Sequence, residues 1–271
     1  MNQVRPAAVA GSFYPSQKQT LTDDVNTLLG AVHPGDDEVH LSPKAIIVPH
    51  AGYIYSGATA AAAYSRLISA HDTIKRVVLL GPVHRVAVRG LALPGADVFA
   101  TPLGAIQIDQ TAVAAIENMP QVVISPNAHA PEHSLEVQLP FLQSVLDDFK
   151  LVPLAVGDAT PVEVAEVLDV LWGGPETLIV ISSDLSHFLP YQTAQSVDAQ
   201  TVQNILDLKH SLNHEQACGG TPVNGLLLAA KQHNLQPHLL DLRNSGDTAG
   251  DKNRVVGYAS VAFTEEKRDV S

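Results

Sequence analysis

The sequence is poor in cysteine and in basic residues, and each scarcity excludes a class of protein. Cys218 is the single cysteine among 271 residues, so neither an intrachain disulfide nor a cysteine-rich zinc site can form. Such usage is typical of a reducing compartment, and we expect a cytoplasmic protein. The 16 Lys and Arg residues stand against 28 Asp and Glu, for a net charge of −12. Because nucleic-acid binding needs a basic surface, we expect no nucleic-acid partner.

Long apolar runs are also missing. No run reaches the ~18–20 residues that a membrane-spanning helix needs, and residues 1–6 lack the apolar core of a signal peptide. We therefore expect no membrane association. Neither a Walker A motif nor GxGxxG occurs, so the sequence gives no support for nucleotide binding. Hydrophobic residues make up 45% of the chain, which is enough for a sizeable core.

These hydrophobic residues form short Val, Ile and Leu runs that alternate with helix-like segments. Continuous runs are typical of strands buried on both faces. The pattern predicts a three-layer α/β/α fold in a single domain over residues 1–271. The polar segment from His33 to Glu38 is expected to be a loop. Strands are predicted over 45–48, 77–80, 121–125, 151–156, 178–181, 237–242 and 255–263, and helices over 19–29, 56–69, 110–118, 135–149, 161–172, 194–209 and 222–233.

Histidine follows three of the predicted strands closely, as His50, His84 and His187. The carboxyl ends of strands in an open α/β sheet line one crevice, where ligands bind. Because neutral imidazole is both a metal ligand and a proton carrier, the sequence predicts a metal pocket or an acid–base pocket. Asp184 lies three residues before His187 and could pair with its imidazole. The structural alternative is a helix N-cap formed by Ser183 or Asp184.

The segment from His129 to Glu136 is dense in histidine and glutamate. His133 and Glu136 are three residues apart, which would place both on one helix face turned to the pocket. The structural alternative is a capped helix start, with the Glu136 carboxylate favoured by the helix dipole.

Four further residues allow two interpretations each. Arg85 could bind an anion or be a solvated surface residue. Asp247 could complete a metal site with two histidines, or belong to a hydrophilic turn, as could Asp251. Cys218 precedes a predicted helix, where a thiol can be acidified. No histidine is obviously paired with it in the sequence, which favours a small buried or loop residue.

Taken together, the ordered motifs resemble the Memo-like family, in the branch called AmmeMemoRadiSam system protein B. The resemblance covers essentially the whole chain. It implies a fold similar to that of class III (LigB-type) extradiol dioxygenases, which hold non-haem Fe(II) with two histidines and a glutamate. The matching motifs lie at residues 4–7, 11–15, 49–57, 80–84, 132–140, 182–187 and 244–247.

By position in these motifs, the resemblance implies that His50 and His84 are metal ligands and that His187 is the acid–base histidine. Tyr53 would then line the ligand pocket. Animal Memo proteins, which have been linked to copper or iron, carry a cysteine near the third-ligand position. A rough alignment places Thr248 there, so that Asp247 becomes the nearest substitute ligand and Cys218 does not take the role.

Two functions from different classes follow as expectations. The first is a redox enzyme or oxygenase that uses Fe(II) or Cu. The second is a non-catalytic module that binds an anionic ligand or a peptide in a vestigial dioxygenase pocket. A weaker third option is a metal-independent hydrolase or lyase that uses His187, Asp184 and His133. The branch name implies a pathway shared with radical-SAM and AMMECR-type proteins.

Overall fold

The computed structural model describes residues 3–33 and 42–265. The polar segment that was expected to be a loop lies outside these residues from Pro34 onwards. Within the described ranges, no helix combines the length and the apolar composition that a membrane crossing requires.

Strands and helices follow the alternating order predicted from the sequence. The strands are β1 (Val4–Arg5), β2 (Pro43–Val48), β3 (Arg76–Pro82), β4 (Leu91–Leu93), β5 (Val98–Thr101), β6 (Gly104–Gln107), β7 (Val122–Ile124), β8 (Lys150–Val156), β9 (Thr177–Ser182), β10 (His187–Leu189), β11 (Leu235–Asn244) and β12 (Val255–Glu265). The helices are α1 (Lys18–Gly30), α2 (Tyr53–Tyr64), α3 (Gln110–Ile116), α4 (Pro126–His129), α5 (Leu139–Val145), α6 (Pro161–Leu171), α7 (Tyr191–Leu206) and α8 (Gly220–Gln232).

Among the described residues, nine strands form the main sheet. Its order is β10-β12-β2-β9-β3-β8-β4-β7, and β11 also pairs with β12. The central strands β2, β9, β3 and β8 are parallel to one another. Antiparallel pairing flanks this core, between β12 and β2 on one side and between β4 and β8 on the other. A smaller sheet of order β1-β5-β6 accompanies it.

Alternation along the buried strands divides the core into two apolar layers. In β2, Ile46 and Val48 pack with one layer, whereas Ala45 and Ile47 pack with the other. Helices α2 and α5 contribute to the first layer, and α6 and α8 to the second. Because both faces are covered, the strands can be apolar throughout. The predicted three-layer α/β/α class is therefore confirmed.

The main departures from prediction lie where the elements are short or capped. The predicted helix over 135–149 is a 3₁₀ turn, Glu136–Gln138, followed by α5, which ends at Val145. The predicted helix over 56–69 starts earlier, at Tyr53, and gives way to a 3₁₀ turn after Tyr64. Two- to four-residue strands such as β1, β5, β6 and β10 were not predicted, because so few residues give no readable period.

Candidate metal centre

Three neighbouring parallel strands end at one edge of the main sheet, and the loops that follow them carry the candidate site. β9 lies between β2 and β3. His50 follows β2, His84 follows β3, and Asp184 follows β9. This order brings distant residues together: the His50 backbone N–H donates to Asp184 Oδ1 at 2.7 Å, across 134 positions of sequence.

The imidazole rings of His50, His84 and His133 converge at this edge. The ring centroids are 5.2 Å apart for His50 and His84, 5.4 Å for His50 and His133, and 4.6 Å for His84 and His133. One ring nitrogen from each histidine lies within 4.8 Å of those from the other two. Within the described ranges, this is the group whose ligand atoms lie close enough to share a metal ion. Such a group can hold a first-row transition metal, for which imidazole is a common ligand.

His50 is the deepest of the three histidines, with 2% of its surface exposed. Its Nδ1 lies 2.9 Å from the hydroxyl of Ser182, the last residue of β9. Burial lowers the pKa of His50 to about 4, although the Asp184 carboxylate acts in the opposite direction. The ring is therefore neutral at physiological pH, which is the form that binds a metal.

Glu132, which the sequence did not single out as a site residue, holds the other two histidines. The residue is 1% exposed. Its Oε1 accepts from His84 Nδ1 at 2.9 Å and from the backbone N–H groups of His133 and Ser134 at 2.9 and 3.0 Å, and its Oε2 accepts from the His84 backbone at 2.6 Å. An ionised carboxylate can only accept, so a neutral His84 carries its proton on Nδ1 and keeps Nε2 free.

The charge on Glu132 follows from these same contacts. Burial by itself raises the pKa of this carboxyl group. The imidazoles of His133 and His84 and the Ser134 N–H act in the opposite direction, and they bring the pKa well below its usual range. Glu132 is thus a fixed negative charge behind two of the three rings. The one signal in the sequence was its position directly before His133 in a histidine-rich segment.

Cys218 reaches the site, which corrects the prediction of a residue without a histidine partner. Its Sγ lies 3.3 Å from His50 Nε2, and its backbone N–H donates to Asp184 O at 3.2 Å. Burial raises the pKa of the thiol to about 12, with a contribution from Asp184. The proximity depends on the loop before α8 docking on the loop after β9, and residues 168 positions apart gave no sequence signal of it.

Glu136 and Tyr53, predicted to bind a ligand, both make hydrogen bonds within the fold. Glu136 is fully buried and accepts from Arg5, from the Tyr14 hydroxyl at 2.6 Å and from the backbone N–H groups of Ala8 and Val9. His133 precedes the 3₁₀ turn that contains Glu136, so a spacing of three does not place the two side chains on one helix face. The Tyr53 hydroxyl donates to Val137 O at 2.8 Å, and only 6% of the residue is exposed.

The structure brings Asp247 and His187 to other partners than those predicted. Asp247 accepts from the Tyr191 hydroxyl and from the Asn244 backbone N–H, and it closes the 3₁₀ turn Ser245–Asp247. His187 Nδ1 donates to Leu185 O at 2.8 Å, so its partner is a backbone carbonyl and not Asp184. Neither Asp247 nor His187 belongs to the converging group found in the described ranges.

Arg85 lies exposed on the loop after β3, beside His84. A contact between Phe13 and the site was not predicted from the sequence. The centroid of the Phe13 ring lies 4.7 Å from that of the His133 ring.

Comparison with solved structures supports the fold. The chain is similar to a crystal structure of the uncharacterized protein JW3007 from Escherichia coli K12, with a TM-score of 0.51 and 15% identity. The match covers 80% of this chain and 98% of the other. A likeness at this identity concerns the fold alone.

Sequence relatives identify the family. Proteins described as MEMO1 family proteins from Archaeoglobus fulgidus and Aquifex aeolicus are each 36% identical to this chain, over 96% of it and 99% of their own length. The family model described as "Memo-like protein" matches residues 5–262. The chain therefore belongs to the Memo-like family.

Proposed function

We propose that the protein binds one transition-metal ion, Fe(II) or Cu, through His50, His84 and His133, and acts as a metal-dependent redox enzyme. The observation that carries the proposal is the convergence of three imidazole nitrogens within 4.8 Å of one another. When bound, the metal would supply one-electron or oxygen chemistry that side chains alone do not provide.

The donor set suits such an ion. Imidazole is a ligand for Fe, Cu and Zn, and a nearby thiolate adds affinity for Cu(I) or Zn. The neutral His50 ring needs no proton loss before it binds, whereas Cys218 would have to release its thiol proton. His133 Nδ1 is buried and lies 3.3 Å from Glu132 Oε1, so the charge on Glu132 stands behind this ring as it does behind that of His84.

His187 is the proposed proton carrier of this enzyme. Because its Nδ1 proton is donated to Leu185 O, its Nε2 can accept a proton from a bound molecule. The side chain is partly exposed, which gives it access to solvent. General acid–base help of this kind typically accelerates a reaction about 10²–10⁴-fold.

The decisive test is metal content after anaerobic purification with Fe(II) or Cu. We expect about one ion per chain in the unmodified protein and a loss of most of it in His50→Ala. The matched control is His71→Ala, since His71 is an exposed histidine bonded to Asp147 on the surface. Metal content unchanged in His50→Ala, or lost equally in both variants, would contradict the proposal.

The alternative function, binding of an anionic ligand or peptide, has less support from the charges. Glu132 is ionised, and burial keeps His50 neutral. An anion entering among the three rings would therefore meet little positive charge. Titration of the metal-free protein with inorganic phosphate distinguishes the two functions. Saturable binding that His84→Ala abolishes, together with no metal uptake, would favour the binding module. The link to radical-SAM and AMMECR-type proteins stays a prediction.

A further inference from the structure

We propose that Ser182 is a positioning residue that locks His50 in the tautomer with its proton on Nδ1, and so reserves Nε2 for a ligand, an inference that rests on the proposed function and deepens it. Ser182 is fully buried, and its hydroxyl meets three polar groups, one from the loop after β2 and two from residues 134–138. The direction of each hydrogen bond follows from groups that have no choice of role.

The first such group is the carbonyl oxygen of Pro49, which can only accept. The side-chain amide of Gln138 lies 2.9 Å from it, so the nitrogen Nε2 must face Pro49. Gln138 Oε1 consequently points to Tyr64, whose hydroxyl donates to it at 2.8 Å. The second hydrogen on Gln138 Nε2 is directed to Ser182 Oγ at 2.8 Å. Gln138 thus always donates to Ser182.

The second group without a choice is the carbonyl oxygen of Ser134. The Ser182 hydroxyl donates its only proton to this oxygen at 2.7 Å. With that proton committed, Ser182 Oγ can only accept from its other neighbours. His50 Nδ1, at 2.9 Å, must therefore be the donor. The opposite tautomer would place the lone pairs of His50 Nδ1 and Ser182 Oγ against each other in a buried site. The free-energy cost would be that of leaving a buried polar group without a hydrogen bond.

The far side of the ring agrees with this assignment. His50 Nε2 lies 3.3 Å from Cys218 Sγ, and the protonated thiol is a weak donor. The lone pair on Nε2 is the nearer acceptor for the single thiol proton, since the other acceptor in reach, the carbonyl oxygen of Asp184, lies 3.7 Å from Sγ. Ser182 thereby does for His50, with a neutral hydroxyl, what Glu132 does for His84 with a charge.

The test is the ¹⁵N spectrum of the histidine rings in the metal-free protein at neutral pH, where protonated and bare ring nitrogens resonate far apart. His50→Gln identifies the His50 signals by their loss. We expect the unmodified protein to show the proton on Nδ1. In Ser182→Ala the Nε2-protonated form should gain population, and metal affinity should fall on the order of 10–100-fold. Ser182→Thr, which keeps the hydroxyl, should restore both.

The matched control is Ser260→Ala, which removes another fully buried serine hydroxyl, one that has no hydrogen-bond partner among the described residues. It should leave the His50 spectrum and the metal affinity unchanged. A proton on Nε2 in the unmodified protein would overturn the inference even if Ser182→Ala failed to fold. Metal binding with an unchanged tautomer in Ser182→Ala would also overturn it, while leaving the proposed function intact. A proton fixed on Nδ1 in a protein that takes up no metal would overturn the proposed function and leave the role of Ser182 intact.

Discussion

Glu132 and Glu136 lie four residues apart and are both almost completely buried, at 1% and 0% exposure, yet one supports the candidate metal site and the other supports the fold. Glu132 accepts hydrogen bonds from two histidines of the site, His84 and His133. Glu136 accepts from Arg5 and from the turn that follows β1. The difference teaches that the partner, and not the spacing or the burial, decides whether a buried carboxylate serves a site or the fold.

Replacing Glu136 should produce the largest loss of stability. In Glu136→Gln the Arg5 guanidinium, with a side chain only 5% exposed, loses its counter-charge. Removing one partner of a buried ion pair typically costs about 3–5 kcal/mol. We expect a loss of that size in urea unfolding, against about 0.5 kcal/mol or less for the exposed Glu117→Gln. A loss close to that of the control would show that Glu136 is not the structural carboxylate.

Acid should weaken the metal-free protein through His50. Its pKa is about 4 when folded and 6.5 ordinarily, so below pH 6.5 the unfolded chain takes up a proton that the folded chain refuses. Stability should therefore fall as the pH decreases from about 6.5 to about 4, by roughly 3 kcal/mol from this residue.

The depressed pKa of Glu132 acts in a lower pH window. Its contribution is present above the ordinary glutamate pKa and is lost as the pH falls below that value. The difference in unfolding free energy between the unmodified protein and His50→Gln should therefore change with pH between about 4 and about 6.5. Parallel curves would show that burial does not control the charge of His50.

Replacing Glu132 should affect the site more than the fold. Glu132→Gln places amide hydrogens against backbone N–H groups that now donate to the carboxylate. It also frees the His84 ring to rotate. Loss of such a supporting residue typically weakens metal binding about 10–100-fold. The loss of stability should be smaller than for Glu136→Gln, because no permanent cation is left unpaired. Chelator competition measures the affinity, and folded Glu136→Gln should retain it. Equal affinities in the two variants would erase the distinction between the two glutamates.

The smallest effect is expected at Tyr53. Tyr53→Phe removes the hydrogen bond to Val137 O and should cost about 1 kcal/mol of stability. Metal affinity should not change, because the hydroxyl serves the backbone. A drop in metal or ligand binding without a loss of stability would return Tyr53 to the pocket, as its place in the motif first implied.

The sequence predicted most of the sheet because buried strands leave a direct record in Val, Ile and Leu runs. It also predicted that His50 and His84 follow such strands, and it noted His133 in a dense segment. These predictions needed only local pattern and the rule that parallel strands end at one edge.

The remaining contacts depend on how separate loops dock, which no local pattern records. Cys218 meets His50 because α8, which follows it, packs against β3 and β9. Asp247 had the right chemistry for a metal ligand, yet one of its oxygens accepts from Tyr191 of α7 and the other from the Asn244 backbone of its own turn. Glu136 was predicted to face the pocket because the spacing of three places it on one face with His133 if both lie at a helix start, whereas regular helix begins only at Leu139.

The insertion of β9 between β2 and β3 has a consequence for folding. The two strands that deliver His50 and His84 never touch, so their loops acquire a common neighbour only when the later strand slots between them. In an intermediate that contains β2 and β3 but lacks β9 between them, the imidazoles of His50 and His84 would not be held close together. An ion that needs both loops would therefore bind the finished sheet and ignore its precursors. Such selective binding raises the free energy of unfolding by mass action, and uptake of the ion would report that β9 lies in place between β2 and β3.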